Sequence, residues 1–290
     1  MIPSFHLLQP TSIADASKSL MDFGDKAKLY AGGAELLLLL RHGLLQSEIL
    51  IDVKKIERLH KINLHGNELR IGACVTHQVL ANSELLRELA PSLAYAESQV
   101  ANVRVRNQGT LGGNLCFNDP HSDPGTVLLV HGATVTLGSQ KGERQLPLSD
   151  FFVDMYATAL EPDELLLEVH VPSLPAGMRS YYLRLHRQQR PTLGVAVAAK
   201  INNGIIEEAR IAVGCIGPRP QRTPEIEEKI KGAKLNEVEK ILIEQKTYLR
   251  ELLRPVDDLL GSAEYKLYMA GIFMRDALVQ AEPGNGGGQF

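Results

Sequence analysis

The sequence predicts an α+β protein in two parts: a first half of alternating strands and helices carrying glycine-rich turns, then a smaller strand-first, helix-last half. Three observations predict it. Two glycine pairs, Gly32-Gly33 and Gly112-Gly113, each follow an apolar or β-branched run. Pro172-Ser173-Leu174-Pro175-Ala176-Gly177 places two prolines and a glycine in six residues, the composition of a linker. Beyond it, Asn203-Gly204 marks a hairpin between two apolar runs, and the remainder is helical in pattern. A chain of 290 residues can bury a core in each part.

Ser12 to Phe23 reads as a helix, with Thr11 or Ser12 as its N-cap and Gly24 as its stop. Ala27 to Ala31 is a short strand broken by the first glycine pair, and Glu35 to His42 is helical up to Gly43. Ile49 to Val53 is an apolar strand, and Glu68 to Ile71 starts another. Thr76 to Ala81 and Glu84 to Ala94, continuing to Val100, have helical spacing; the glycine-rich segment that follows reads as a loop. Val127 to Leu137 is buried structure turning into a strand, followed by a polar turn over 138–143. Leu165 to Val171 is a strand ended by Pro172. In the second part Ser180 to His186, Gly194 to Ile201 and Ile205 to Val213 are strands. Thr223 to Lys231, Leu235 to Leu253 and Ser262 to Ala281 are helices, and Gly284 to Gln289 is expected to be a disordered tail. The strand order is not recoverable from the pattern.

Composition excludes several classes of function. The net charge is −3 with both signs interspersed, so no basic stripe for nucleic acid exists. The longest apolar run, Leu36 to Leu40, is far too short to span a bilayer, and the N-terminus lacks the basic start and apolar core of a signal peptide. Three widely spaced cysteines (Cys74, Cys116, Cys215) without a CxxC argue against a disulfide framework and against a zinc or iron–sulfur site in this chain.

The chemistry-bearing residues are those of the two glycine segments. Ala31-Gly32-Gly33-Ala34-Glu35-Leu36 ends a strand and opens a helix, where free amides and the positive dipole end suit a pyrophosphate. It is neither a P-loop nor GxGxxG, and the charge of Glu35 requires its side chain to point away or to cap the helix. In the second segment, Gly112 and Gly113 permit positive φ and close approach of a ligand, while Thr110 and Asn114 add side-chain donors and freed amides can form an anion-binding concavity. Asp123 precedes Pro124 and an apolar helix, so an N-cap role and a ligand role are both open. Asp119, His121 and Asp123 alternate but lack a fourth metal ligand nearby. Cys116 reads as a buried structural thiol. Arg104 and Arg106 either brace the loop through carbonyls or are solvated. Arg184, His186, Arg187 and Arg190 form a basic cluster facing either a phosphate-bearing ligand or a partner subunit. No nucleophile–base arrangement or paired-carboxylate signature stands out, so the chain speaks for holding a cofactor.

The stretches AKLYAGGAELL, LIDVKKIERL, LRIGACVTH, VRNQGTLGGNLCFNDPHSD, LSDFF, TALEPDELL, RLHRQQ and GSAEYK run through nearly the whole chain. In that order they resemble the FAD-binding (medium) subunit of molybdenum hydroxylases, the family of aerobic carbon monoxide dehydrogenase and the flavin portion of xanthine dehydrogenase. The resemblance implies a PCMH-type FAD-binding domain of two α/β subdomains over residues 1–175, an α+β C-terminal domain over 176–282 and a disordered tail over 283–290. It implies that Lys28, Leu29, Tyr30, Ala31, Gly32, Gly33, Ala34 and Glu35 line the pyrophosphate of FAD. Thr110, Leu111, Gly112, Gly113 and Asn114 would hold its other side and approach the flavin. Asp123 matches the family's ligand aspartate, Val100 an apolar or aromatic contact, Leu166 a backbone contact, and Arg184 a position where many relatives carry lysine. Ala34 stands where many relatives are polar, so one hydrogen bond to the cofactor is expected to be missing. Arg184 keeps the charge but changes its shape.

The implied activity is electron transfer: from [2Fe–2S] clusters of a small partner subunit, through FAD, to an external acceptor. A large molybdenum-cofactor subunit would act on the substrate, in a cytoplasmic complex assembled as a dimer of heterotrimers. No catalytic side chain and no metal are expected in this chain. Two other readings are a scaffold subunit that has lost its cofactor, prompted by Ala34 and the charge of Glu35, and a self-sufficient FAD oxidoreductase.

Overall fold

The structure, a computed structural model, describes residues 3–185 and 190–284. The chain opens with β1 (His6–Leu8), α1 (Ile13–Phe23), β2 (Ala27–Tyr30), α2 (Leu36–His42) and β3 (Ile49–Asp52). Ser12 caps α1 by accepting from the amide of Asp15, and Gly24, at φ +50°, ends it. Gly43 ends α2 in the left-handed region. The strands form a parallel sheet in the order β1-β3-β2, with β3 buried along its length.

A second subdomain follows. It comprises β4 (Ile62–His65), β5 (Glu68–Gly72), α3 (His77–Asn82), α4 (Glu84–Leu89), α5 (Pro91–Gln99), α6 (Val103–Gln108), α7 (Leu111–Phe117) and α8 (Pro124–His131), then β6 (Thr134–Ser139), β7 (Gly142–Pro147), α9 (Leu148–Phe151), β8 (Phe152–Asp154), β9 (Ala157–Thr158) and β10 (Leu165–Pro172). Its five-stranded sheet runs β4-β5-β10-β6-β7 and is antiparallel throughout. Two expectations are corrected here. The helix expected from Glu84 to Val100 is two helices, because Pro91 cannot continue α4 and instead opens α5 at its first position. The segment read as a loop holds a helix, α7, and another, α6, stands just before it; each is nucleated by a side-chain cap, Thr110 and Asn102 respectively. Both are too short to show a hydrophobic period.

The last part is β11 (Arg179–Leu185), β12 (Leu193–Asn202), β13 (Ile205–Gly214), β14 (Gln221–Arg222), α10 (Pro224–Ile230), α11 (Val238–Glu244), α12 (Lys246–Leu253) and α13 (Ala263–Ala281). Its antiparallel sheet runs in sequence order, and the turn between β12 and β13 has Asn203 and Gly204 both at positive φ, the geometry of a type I′ hairpin. The helix expected over Leu235 to Leu253 is broken at Gln245.

The placement of α8 decides the architecture. All eight of its residues are buried, and it packs on both β12 and β13. Along β12 the side chains alternate between two cores: Ala196 and Ala198 belong to the core shared with the first half, Val195 and Val197 to the core under α13. A sheet covered on both faces reads as a continuous apolar run, as Leu193–Ala199 does. No helix among the described residues is long and apolar enough to cross a membrane. Of the expected tail, 285–290 lies outside the described residues, as do His186 and Arg187 of the basic cluster.

Candidate functional site

A cleft of about 620 Å³ lies where the three parts meet, within the range of small-molecule sites. Its walls are the β2–α2 turn, the β5–α3 turn at Ala73 and Cys74, the 100–102 turn, the segment around α7, the start of β10, and Arg184, Arg190 and Pro191. Of the residues singled out in the sequence, Lys28, Leu29, Ala31, Gly32, Gly33, Ala34, Glu35, Val100, Thr110, Gly112, Gly113, Asn114, Asp123, Leu166 and Arg184 all line it. Tyr30 and Leu111 are not brought to the wall: Lys54 Nζ sits 3.7 Å over the Tyr30 ring, and Leu111 is fully buried in the core.

The first glycine turn presents main chain. Gly33 takes φ +73°, and a Cβ on Gly32 would stand 2.0 Å from the Gln108 carbonyl oxygen, so the two glycine segments touch through backbone here. Among the described residues, no hydrogen bond engages the amides of Gly32, Gly33, Ala34 or Glu35. Four adjacent free donors at the start of α2 are an anion site in the making. Glu35 makes no cap; its carboxylate faces Arg190 at 3.6 Å, and Arg190 Nη1 lies 2.6 Å from Asp119. Burial raises the pKa of Glu35 while Arg190 opposes the rise. The charge that would repel a phosphate thus faces a guanidinium.

The second glycine segment works differently. Gly112 and Gly113 lie inside α7, and neither takes positive φ. The amide of Leu111 donates to Val75 O at 3.0 Å, that of Gly112 to Ala73 O at 2.9 Å, and that of Gly113 to Thr110 Oγ1 at 3.1 Å. These amides are engaged in the fold, so the expected concavity of freed amides is not found at this segment. A Cβ on Gly112 would lie 2.5 Å from the Ala73 Cβ and 2.7 Å from its oxygen. The glycine therefore lets α7 seat against the β5–α3 turn. Asn114 faces the cleft, its Oδ1 accepting from Ser122 Oγ at 2.6 Å.

Asp123 is buried, accepts from Tyr182 Oη at 2.5 Å and pairs with Arg184 Nε at 3.2 Å; Arg184 Nη1 donates to Gln99 O at 2.7 Å. Pro124 opens α8, but the Asp123 side chain forms no cap, so the capping role is overturned: the carboxylate turns to Tyr182 and Arg184 instead. Tyr182 reaches it because position 194 on β12 is glycine; a Cβ there would meet the Tyr182 hydroxyl at 2.3 Å. Nothing in the sequence singled out Tyr182.

Burial, opposed by Arg184 and the Tyr182 hydrogen bond, pushes the Asp123 carboxyl up to about 6. A carboxyl raised in the folded state favours folding when protonated, so its contribution is present below the ordinary carboxylate value and lost as pH rises through about 6. The flavin-free chain is expected to lose stability on the order of 3 kcal/mol through this group between roughly pH 4 and pH 7. Asp123→Asn should remove that slope; denaturation curves of the two proteins that run parallel across this range would refute it.

The remaining candidates diverge. His121 Nδ1 meets Pro191 O at 2.9 Å and Nε2 faces Asp258 at 3.5 Å, while Asp119 turns to Arg190. Among the described residues no cluster of His, Cys, Asp and Glu has the arrangement of a metal site. Arg106 braces the cleft rim through Val100 O at 3.0 Å and Gln78 Oε1 at 3.1 Å. Cys116 and Cys74 both line the cleft, each with its thiol pushed up to about 12 by burial, which leaves neither a nucleophile at neutral pH. Sequence reasoning missed one further pair. His77 lines the cleft with Nδ1 2.5 Å from Glu97 Oε2, and both residues are buried.

Free main-chain donors, an apolar wall at Val100, Leu165 and Leu166, and cations at Lys28 and Arg184 fit a dinucleotide with a diphosphate. Comparison with known proteins agrees. Residues 3–174 match the family described as FAD binding domain in molybdopterin dehydrogenase, and 181–281 match the CO dehydrogenase flavoprotein C-terminal domain. The chain is 30% identical over 280 residues to the nicotine 6-hydroxylase medium subunit of Paenarthrobacter nicotinovorans, covering 97% of this chain and 98% of that one. It is 31% identical over 279 residues to the carbon monoxide dehydrogenase medium chain of Hydrogenophaga pseudoflava, covering 95% and 96%. A solved carbon monoxide dehydrogenase from Hydrogenophaga pseudoflava, lacking the Mo-pyranopterin moiety, superposes with a TM-score of 0.91 at 32% identity over 97% and 98% of the chains. Quinoline 2-oxidoreductase from Pseudomonas putida 86 does so at 0.90 and 27% identity, over 98% and 99%.

Proposed function

This chain belongs to the family of FAD-binding flavoprotein subunits of molybdopterin dehydrogenases, and from that premise we propose that it relays electrons from [2Fe–2S] clusters of a partner subunit to an external acceptor. It is an oxidoreductase subunit whose cofactor is FAD. The observation that carries the relay reading is the cleft itself: it offers main-chain donors and buried charge to a cofactor and, among the described residues, no nucleophile–base pair to a substrate.

When bound, FAD would supply the redox chemistry, and the protein would supply position and electrostatics. In this reading the amides of Gly32, Gly33, Ala34 and Glu35 receive the diphosphate, with Lys28 adding charge. Thr110, Gly113 and Asn114 close its other side, and Gly112 holds their helix in place. Ala34 offers no side-chain donor there, so its amide alone serves. Asp123 and Arg184 present a fixed carboxylate and guanidinium to the flavin end, with Tyr182 and Gln99 O holding them still. Val100, Leu165 and Leu166 exclude water from the wall.

The same reading assigns residues 1–175 to the cofactor domain and 176–282 to the C-terminal domain. It expects a large molybdenum-cofactor subunit and a small [2Fe–2S] subunit as partners, in a cytoplasmic dimer of heterotrimers. The charge of Glu35, which had favoured a cofactor-free scaffold, is met by Arg190 and no longer speaks for one.

Visible absorbance of the purified chain tests this reading. After addition of FAD and desalting, a flavin band near one equivalent, identified as FAD on release, is expected. A folded chain that stays colourless, alone and in its native complex, would overturn it. Recovery of that complex without an iron–sulfur subunit would overturn the relay.

A further inference from the structure

We propose that His77 is a cofactor-positioning residue whose Nε2 accepts a hydrogen bond from a hydroxyl of the bound dinucleotide; this rests on the FAD reading of the cleft. His77 is 2% exposed, yet it lines the cleft at the first turn of α3. Its Nδ1 is 2.5 Å from Glu97 Oε2, and Glu97 is fully buried on α5. A carboxylate only accepts, so it fixes a donor at Nδ1; in the proposed arrangement Nε2 carries the ring's lone pair. No hydrogen bond among the described residues engages Nε2. The ring is buried, but Nε2 itself is reachable from the cavity that His77 lines, so a ligand group there can meet it.

The backbone around His77 ties it to the second glycine segment. Its amide donates to Gly109 O at 3.1 Å, and Thr76 bridges to Thr110. A Cβ on Gly109 would stand 3.1 Å from the ring and 3.5 Å from Nε2, so glycine keeps the ring's cleft side open. The ring therefore abuts the segment that flanks the diphosphate in the proposed reading. A diphosphate offers only acceptors and does not match a lone pair. The groups attached directly to the diphosphate of FAD, the ribityl chain and the adenosine ribose, carry hydroxyl donors that do. The N3–H and adenine amino donors lie at the far ends of the molecule. Glu97 acts through His77, as the group that sets its tautomer.

The test titrates the full-length flavin-free chain with FAD, and with FAD analogues each lacking one ribityl or one ribose hydroxyl. Flavin fluorescence is the readout. The wild-type chain is expected to bind one of these analogues about five- to tenfold more weakly than FAD, the analogue identifying which sugar is held. His77→Leu should weaken FAD by a similar factor and bind that analogue no worse than FAD. His77→Gln, whose Oε1 accepts, should restore part of the discrimination. A merely structural role would weaken all ligands alike. Equal binding of every analogue by the wild type overturns the assignment even where His77→Leu fails to fold, and so does discrimination retained in a folded His77→Leu. A wild-type chain that takes up no FAD overturns the FAD reading and this assignment with it.

Discussion

Gly32→Ala is expected to weaken FAD binding at least about a hundredfold, about 2.7 kcal/mol, while the chain unfolds within a few degrees of wild type. The added Cβ would lie 2.0 Å from the Gln108 carbonyl oxygen, 2.7 Å from its carbon and 2.9 Å from Gly109 Cα. All three are backbone atoms, so no side chain can rotate to make room. The β2–α2 turn and the α6–α7 turn must then move apart. Those turns carry the free amides on one side and Thr110 on the other, and the diphosphate must meet both. The position is only partly buried and lies outside both hydrophobic cores, so little packing is lost. Flavin titration alongside a thermal melt separates the two effects. Unchanged affinity in a folded Gly32→Ala protein would show that the contact between the turns does not shape the site.

Gly112→Val should show the opposite division: loss of the cofactor together with the fold around it. Its Cβ would press on Ala73 Cβ at 2.5 Å and Ala73 O at 2.7 Å, at a buried site where α7 meets the turn after β5. The larger side chain also breaks the Gly112 amide to Ala73 O bond if α7 withdraws. Overpacking of this kind costs about 3 kcal/mol, and more where backbone is the obstacle. A melting temperature lower by roughly 6–12 °C is expected. Valine tolerated at wild-type stability would mean that α7 is free to shift, and the account of Gly112 as a packing glycine would fail.

These two glycines show where sequence reading reached and where it stopped. The first pair reads as a helix start with free amides, and that is its local structure, because a strand, a glycine at positive φ and a short helix depend on a few neighbouring residues. The second pair reads as a loop with freed amides, whereas it lies inside α7 with its amides engaged. Whether an amide is free depends on what lies across from it, and here Val75 and Ala73 do, more than thirty residues away in sequence. Asp123 stands out in the sequence, but its partners Tyr182 and Arg184 lie on a strand of the other half of the chain. Glu35 posed a charge problem in the sequence that Arg190 answers in space. His77 and Glu97 gave no signal at all, since a histidine and a glutamate twenty residues apart on two different helices become a pair only when α3 packs on α5.

By itself, then, the sequence determined the order of most elements, the start and stop of α1, the hairpin at Asn203-Gly204 and the two glycine segments that border the cleft. Each of these rests on local steric and hydrogen-bonding preferences that a few adjacent residues carry. Tertiary structure alone decided the strand order, the burial of α8 against β12 and β13, the place of β12 between two cores, which amides stay free and which charges meet. Those outcomes depend on distances between groups remote in the chain, and only the packed core brings such groups within reach of one another.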